Sequence, residues 1–475
     1  MIRKNYSSNH FHIVLAILAV SLLVSCASPL QTATISPELA NTKPPDPIAT
    51  STLEITPVEH SPTSLPVELE DLSGVAIRFV HPWAGETGKI LEDIATQFSL
   101  TNSWGIWVDV EAFGSESLLL DSLQPDIESG DAPGLIVLHP YHLAALEGEY
   151  YSINLSDYFK DPEWGFDAEA QADIPQLLID QFTIDGNLIA LPIAPQATVL
   201  FYNHSWAQAL SYSASPENEA DFRELACAAT FANLADETRE NDGTGGWLMN
   251  LAPNVLVSWY HAFEGSLSND STPKFDNNPA RSAFSYIKST YDEGCFWVGR
   301  QAEPYYYFAN RYALVYAGTL DQIPAQIGWM DVAGNQDEWQ VMGFPGPAGE
   351  SGMIDGPGLM ITADEFPNQM AAWLFARHLL EPAQQAEIVR SLWTIPVRRS
   401  AMALLDDFSE TYPQWAQGVD LMDSADPLPV SQEWGVVQWF LQDAINRLII
   451  SESNDTNIIM KELDLMIEEF ESIEP

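Results

Sequence analysis

The stretch from Asp185 to Asn203, DGNLIALPIAPQATVLFYN, is what most constrains how this chain folds. It holds two short apolar runs of strand character, Asn187 to Leu191 and Ala197 to Tyr202. Between them lie Pro192, Ile193, Ala194, Pro195 and Gln196. Two prolines this close remove two ladder donors and fix φ twice, which excludes one continuous central strand. The preferred reading is a stiff extended crossover that leaves one sheet at Leu191 and enters a second near Thr198. The plainer reading is a wide hairpin, or an edge strand with a bulge.

The N-terminus reads as a targeting segment. Met1-Ile2-Arg3-Lys4 is basic, and the apolar run Phe11 to Val24 is short for a membrane span but suits a signal-peptide core. Residues 1–25 are therefore expected to be a signal peptide. Leu23-Val24-Ser25-Cys26 resembles a bacterial lipobox. Cleavage before Cys26 would free its thiol for a diacylglycerol anchor on the outer face of the membrane. An ordinary signal peptide with an incidental cysteine is the alternative. Residues 26–71 are rich in Pro, Thr and Ser, with Pro44-Pro45-Asp46-Pro47 the densest part. Such a segment buries too little apolar surface to offset its ordering entropy, and it reads as a disordered tether.

The body, residues 72–475, is too long for one hydrophobic core and suits two lobes. Gly74 to Val80 is strand-like, Glu86 to Phe98 has a helical apolar face, and Ile106 to Phe113 is a second strand. Strand, helix, strand at this spacing is a βαβ unit, so a parallel sheet is expected. Gly134 to Leu138 is a third strand. The C-terminal helix carries Ile459, Leu463, Met466, Ile467 and Phe470 on one stripe and is expected to pack on a lobe.

Asp185–Asn203 resembles the segment G-K-x-Y-A-L-P…x-Y-N-K of the extracellular solute-binding proteins of ABC importers, the family similar to maltose-binding protein. Asn187 and His204 replace its two lysines. Weaker matches follow in the same order. Ser215 to Ala235 resembles the P-x-T-x-x-E-L helix, and Phe275-Asp276-Asn277-Asn278-Pro279 the F-N-S-P-E-A start. Tyr312 to Leu320 resembles A-A-M-x-I-x-G-x-W, with Leu320 in place of the Trp. Trp339 to Pro347, Gly356 to Ile361 and Pro367 to Trp393 resemble the later interlobe strand, its successor and a helix pair. The resemblance implies an α/β, two-lobed periplasmic-binding-protein-like fold of type II, each lobe a mostly parallel sheet flanked by helices, joined by hinge crossovers. It divides the body into 72–195 with 345–380, and 196–344 with 381–475.

Charge and cysteines narrow the function. There are 19 basic and 67 acidic side chains, a net −48, or 17 − 67 = −50 without residues 1–25. Such a charge excludes a binder of nucleic-acid backbones and favours a soluble monomer. With Cys26 assigned to lipid, Cys227 and Cys295 are the thiols left in an exported chain, which favours a disulfide over two buried free thiols. Nucleophile-elbow, zinc-protease, P-loop and dinucleotide motifs are missing, as is any Cys/His set at zinc spacing. No enzyme activity, cofactor or metal is expected. A lipid-anchored carbohydrate-active hydrolase is the alternative function, and a surface scaffold the third.

In a two-lobed α/β body the ligand belongs outside the carboxyl ends of the strands. That rule, with the resemblance, nominates Trp83, Glu86, His139 and Tyr141 from the first lobe. Gln196 lies just past the hinge, where maltose-type relatives place an acidic sugar ligand. Trp247, Trp259, Tyr306 and Gly318 come from the second lobe, and Asp355 and Trp393 from the later crossings. Flat aromatic rings suit the C–H face of a pyranose, and planar polar groups suit adjacent hydroxyls. The solute implied is a mono- or oligosaccharide delivered to an ABC permease. A polyamine or glycerophosphodiester is the other possibility. Trp259 and one of Tyr305–Tyr307 could equally be core.

Overall fold

A computed structural model describes residues 65–66, 69–129, 131–142, 152–299, 303–363, 365–451 and 455–473. The signal segment, Cys26 and most of the tether lie outside the described residues. Among the described residues, no helix is long and apolar enough to cross a membrane.

Among the described residues, fifteen strands appear in chain order. They are β1 (Ala76–His81), β2 (Trp107–Ala112), β3 (Leu135–Leu138), β4 (Thr183–Ile184), β5 (Asn187–Leu188), β6 (Leu191–Pro192), β7 (Gln196–Asn203) and β8 (Gly245–Leu248). Then come β9 (Phe296–Trp297), β10 (Ala313–Thr319), β11 (Trp339–Met342), β12 (Phe344–Gly346), β13 (Gly349–Asp355), β14 (Gly358–Ile361) and β15 (Ala425–Pro427). The first sheet has the order β2-β1-β3-β14-β6. Its βαβ unit is parallel as the spacing predicts, with Ala76 opposite Trp107 through His81 opposite Ala112. LIVL of β3 is wholly buried, as expected of a strand covered on both faces. The second sheet runs β12-β13-β7-β10-β8-β9, with β11 beside β7 and β15 beside β13.

The chain passes between sheets where the prolines predict. β6 pairs with β14 in the first sheet, and after Ile193-Ala194-Pro195 the chain enters β7 in the second. The first run is shorter than expected: β5 folds back on β4 in a small hairpin, and only Leu191–Pro192 joins the sheet. The return crossing goes from β13 to β14. A Cβ on Gly356 would lie 2.8 Å from the Ala194 carbonyl oxygen and 3.1 Å from Pro195 Cα, so the two crossings touch where only glycine leaves room. A third segment joins them: Ile395 N–H donates to the Pro195 carbonyl at 2.8 Å.

Strand pairing differs from the sequence division in two places. Residues 349–355 pair with β7 and β15, so they belong to the second sheet, although 345–380 was assigned to the first lobe. Helix Pro382–Leu392, assigned to the second lobe, packs on α1 (Gly85–Thr101), the crossover helix of the first βαβ unit. The apolar pattern shows that these elements are buried but not against which sheet.

One core packs Phe79, Leu91, Phe98, Leu359 and Phe375 around the first sheet. Another packs Phe222, Trp247, Trp259, Phe296 and Trp434 on the second. The Cys227–Cys295 disulfide is formed beside this second core, joining helix Glu219–Ala235 to the turn after helix Asn278–Asp292. Both helices start at asparagine caps, Asn218 and Asn277, whose side chains accept from the first turn. The C-terminal helix Thr456–Ile473 buries Met460, Leu463 and Ile467 against this core as its stripe predicts.

Candidate functional site

The crossings bring together loops that are distant in sequence. β1, β2 and β3 are parallel, so the loops after His81, Ala112 and Leu138 emerge on one edge of the first sheet. In the second sheet, the end of β13 meets the start of β7, with Asp355 opposite Gln196 and Met353 opposite Thr198. Because Gly358 of β14 pairs with Leu138 of β3, the return crossing delivers Asp355 next to His139.

His139 is the hub of this junction. Its Nδ1 lies 2.9 and 3.0 Å from the two carboxylate oxygens of Glu116, and its Nε2 lies 3.5 Å from Asp355 Oδ1. His142 Nδ1 is 2.8 Å from Glu116 Oε2. Glu116 opens helix α2 (Glu116–Ser129), which Ser115 caps by accepting from Leu118 N–H. Burial would raise the Glu116 carboxyl, but the charge of His139 and hydrogen bonds from both histidines outweigh it and lower it to about 2. Burial likewise opposes charge on His139, and the carboxylates of Asp355 and Glu116 overcome it, so its pKa is raised.

Tyr141 stacks on His139, ring centroids 5.4 Å apart at 29°. It is buried, and helix Gln432–Ile450 approaches it so closely that a Cβ on Gly435 would lie 3.2 Å from Tyr141 Cβ. Burial, then the charges of Asp355 and Glu116, push its phenol far up, against a hydrogen bond with Gln438. A loop of the first sheet thus rests on a helix of the second core.

Other nominees line the same junction. Gln196 is half-buried, and its Nε2 donates to the Leu392 carbonyl at 3.4 Å. The next residue, Trp393, caps the helix in the left-handed region, at φ 57° and ψ 35°. Its half-buried ring lies 4.4 Å from that of Tyr412 and 4.9 Å from that of Phe408. A non-glycine residue held there costs about 1–3 kcal/mol and is over-determined by its surroundings. Thr87 Oγ1 and Ser391 Oγ, 2.7 Å apart, tie the start of α1 to this helix end. The half-buried Trp83 and the exposed Glu86 lie within four residues of Thr87. Trp83 N–H donates to Nδ1 of the buried His81 at 3.3 Å, and burial lowers the His81 pKa to about 4.

Four nominees stand elsewhere. Trp247 and Trp259 are fully buried, 5.5 Å apart in the second core. Trp247 alternates inward from β8, and Trp259 lies on the buried face of helix Pro253–Ala262. Tyr306 packs edge-on against Tyr312 and Trp329, and Tyr312 precedes the end of β10 opposite to Thr319. Gly318 lies outside the left-handed region. Its bare Cα instead admits the Gln322 side chain, whose Oε1 would sit 2.2 Å from an added Cβ.

The sequence reading missed Glu116 and His142. The available signals were the spacing His139-Pro140-Tyr141-His142, and an acid in the first loop after β2.

The fold recurs in known proteins. A sugar-binding MalE protein from Xanthomonas citri superposes with TM-score 0.70 at 19% identity, covering 84% of this chain and 99% of that one. The cyclic α-maltosyl-1,6-maltose-binding protein of Arthrobacter globiformis gives TM-score 0.69 at 16% identity, covering 83% and 99%. An ABC substrate-binding protein of Listeria monocytogenes in complex with cycloalternan gives 0.64 at 16%, covering 84% and 100%. A comparison with curated proteins found no match. Residues 94–417 match the sequence pattern of a family described as bacterial extracellular solute-binding protein. That match spans most of the body, from β2 to β14 with the crossings between the two sheets, and the chain belongs to this family of binding proteins.

Proposed function

We propose that this protein is the solute-receiving subunit of an ABC importer, and that it captures a mono- or oligosaccharide between two lobes and presents it to the permease. The observation that carries the reading is the convergence of His139, Asp355, Gln196 and Trp393 on the three segments that link the sheets. A solute held at such a junction contacts both lobes, so binding favours the closed arrangement by its differential affinity. Trp83, Glu86, Tyr141 and Trp393 supply stacking and hydrogen bonding of the kind sugar hydroxyls and C–H faces require. The lobes are assigned as the first sheet with helices Phe366–Leu379 and Pro382–Leu392, and the second sheet with the remaining C-terminal helices. The structural relatives named for maltosyl sugars and cycloalternan share this fold at low identity. In this reading Cys26 carries a lipid anchor, and residues 27–71 hold the body off the membrane as a monomer.

A thermal-shift screen of the purified protein against sugars, polyamines and amino acids tests this. A ligand at a hundred times its dissociation constant stabilises by about 2.7 kcal/mol, a clear shift. A saccharide recovered unchanged after raising the melting temperature is the expected result. A saccharide that is consumed, or a response confined to polyamines, would overturn the solute assignment.

A further inference from the structure

The Glu116–His139–His142 cluster has a geometry that solute capture does not require. One oxygen-bearing and two nitrogen-bearing groups converge, with their donor atoms within 4.8 Å of one another. The contacts to Glu116 are 2.8 to 3.0 Å. Donors on a tetrahedral zinc ion, each about 2.0–2.1 Å from the metal, lie about 3.3 Å apart. The Glu116 contacts need to open by only a few tenths of an ångström, and the two imidazole nitrogens, within 4.8 Å of one another, need to close by at most about 1.5 Å. We propose that Glu116, His139 and His142 form a binding site for one divalent transition-metal ion of the zinc class, at the junction of the two sheets.

Three features support that assignment. The donor set is two imidazoles and a carboxylate, which selects zinc, nickel or copper over the all-oxygen sites of magnesium and calcium. His139 presents Nδ1 to the cluster while Nε2 faces Asp355 Oδ1 at 3.5 Å. Asp355 thus stands on the side of the ring from which a carboxylate supports a metal-bound histidine, at a separation longer than a hydrogen bond. The backbone also sets the spacing of the two histidines, because His142 N–H donates to the His139 carbonyl at 3.0 Å and puts both rings on one side of the turn.

Three protein ligands leave a coordination position free, as in open rather than structural sites. The side chain of His142 is 36% exposed, which keeps the cluster in contact with water or a solute oxygen. The other comparable grouping among the described residues, Cys227 with Glu293 and Cys295, has both thiols consumed in the disulfide.

The test is isothermal titration of the chelator-stripped protein with zinc chloride at neutral pH and physiological salt, without sugar and with excess magnesium to occupy surface carboxylates. One saturable equivalent is expected. Cobalt should replace zinc and give a visible d–d absorption from nitrogen ligation. His142→Ala should abolish the tight equivalent while leaving circular dichroism unchanged. Asp355→Asn, which removes the negative charge facing His139 Nε2, should weaken binding about 10- to 100-fold. Weak, multi-equivalent binding displaced by magnesium would overturn the proposal, as would a tight equivalent that survives in His142→Ala. The cobalt spectrum of the unaltered protein decides the matter if a variant fails to fold. Because no sugar is present, neither outcome bears on the solute assignment.

Discussion

Asp355 and Gln196 are register partners in the antiparallel β7–β13 pair, at the point where both strands leave the second sheet. Each is followed or preceded within four residues by a segment of the first sheet. Two adjacent extended connections of this kind act as a hinge, because a few residues at element ends absorb the change in φ and ψ. Side chains on these connections sit where the sheets meet, whichever solute arrives.

Trp393 separates binding from stability. Trp393→Gly places glycine at a left-handed helix cap, where it is favoured, and this offsets part of the lost contact with Phe408 and Tyr412. The expected result is a small change in melting temperature with at least about tenfold weaker binding of the solute found by the screen, or about 1.4 kcal/mol. Unchanged affinity by calorimetry would remove Trp393 from the site.

Trp259 is predicted to do the opposite. It is fully buried against Phe222, Trp247 and Phe344. Trp259→Ala should cost about 3–5 kcal/mol in urea unfolding. The folded fraction should bind solute with the affinity of the parent protein. A loss of affinity without a loss of stability would return this residue to the cleft.

The disulfide contributes through the unfolded state. Closing a loop with a sequence separation of 68 stabilises by about 4 kcal/mol in the chain-entropy model. Replacing Cys227 and Cys295 together by Ser should lower the urea midpoint accordingly. Thiol titration of the unreduced, unfolded protein should find neither of these two sulfurs free.

His81 makes stability fall in acid. Its folded pKa, about 4, lies below the ordinary 6.5 because burial disfavours the charged ring. Its contribution is complete above pH 6.5 and is lost as the pH falls through about 4, amounting to about 3 kcal/mol. His81→Asn keeps an acceptor for Trp83 N–H but cannot take up a proton. The variant should lose less stability than the parent between pH 6.5 and 4. Parallel stability curves would show that His81 titrates normally.

Much of the fold was legible. The βαβ unit and the proline-marked break between the two apolar runs are local signals of period and φ restriction. The site was legible only in part. The structure brings the nominated His139, Tyr141, Gln196, Asp355 and Trp393 to one junction, because each lies at a strand or helix end next to a crossing. Trp247 and Trp259 were misplaced because an apolar segment carrying tryptophan reads alike whether its ring points to a cleft or a core. Gly318 was misread because the reason for a missing Cβ, the Gln322 side chain, comes from packing.

By itself, the sequence determined that no single strand runs through Pro192–Gln196, that the body opens on a βαβ unit, and that Cys227 and Cys295 are available to pair. Those follow from bond geometry, periodicity and composition, which act over a few residues. Tertiary structure alone decided that β13 belongs to the second sheet and helix Pro382–Leu392 to the first. It alone brought Glu116 and His142 to His139, and His139 to Asp355. These are contacts between segments 23 to 216 positions apart. Their partners are set by which faces the sheets leave uncovered, and no local pattern encodes that.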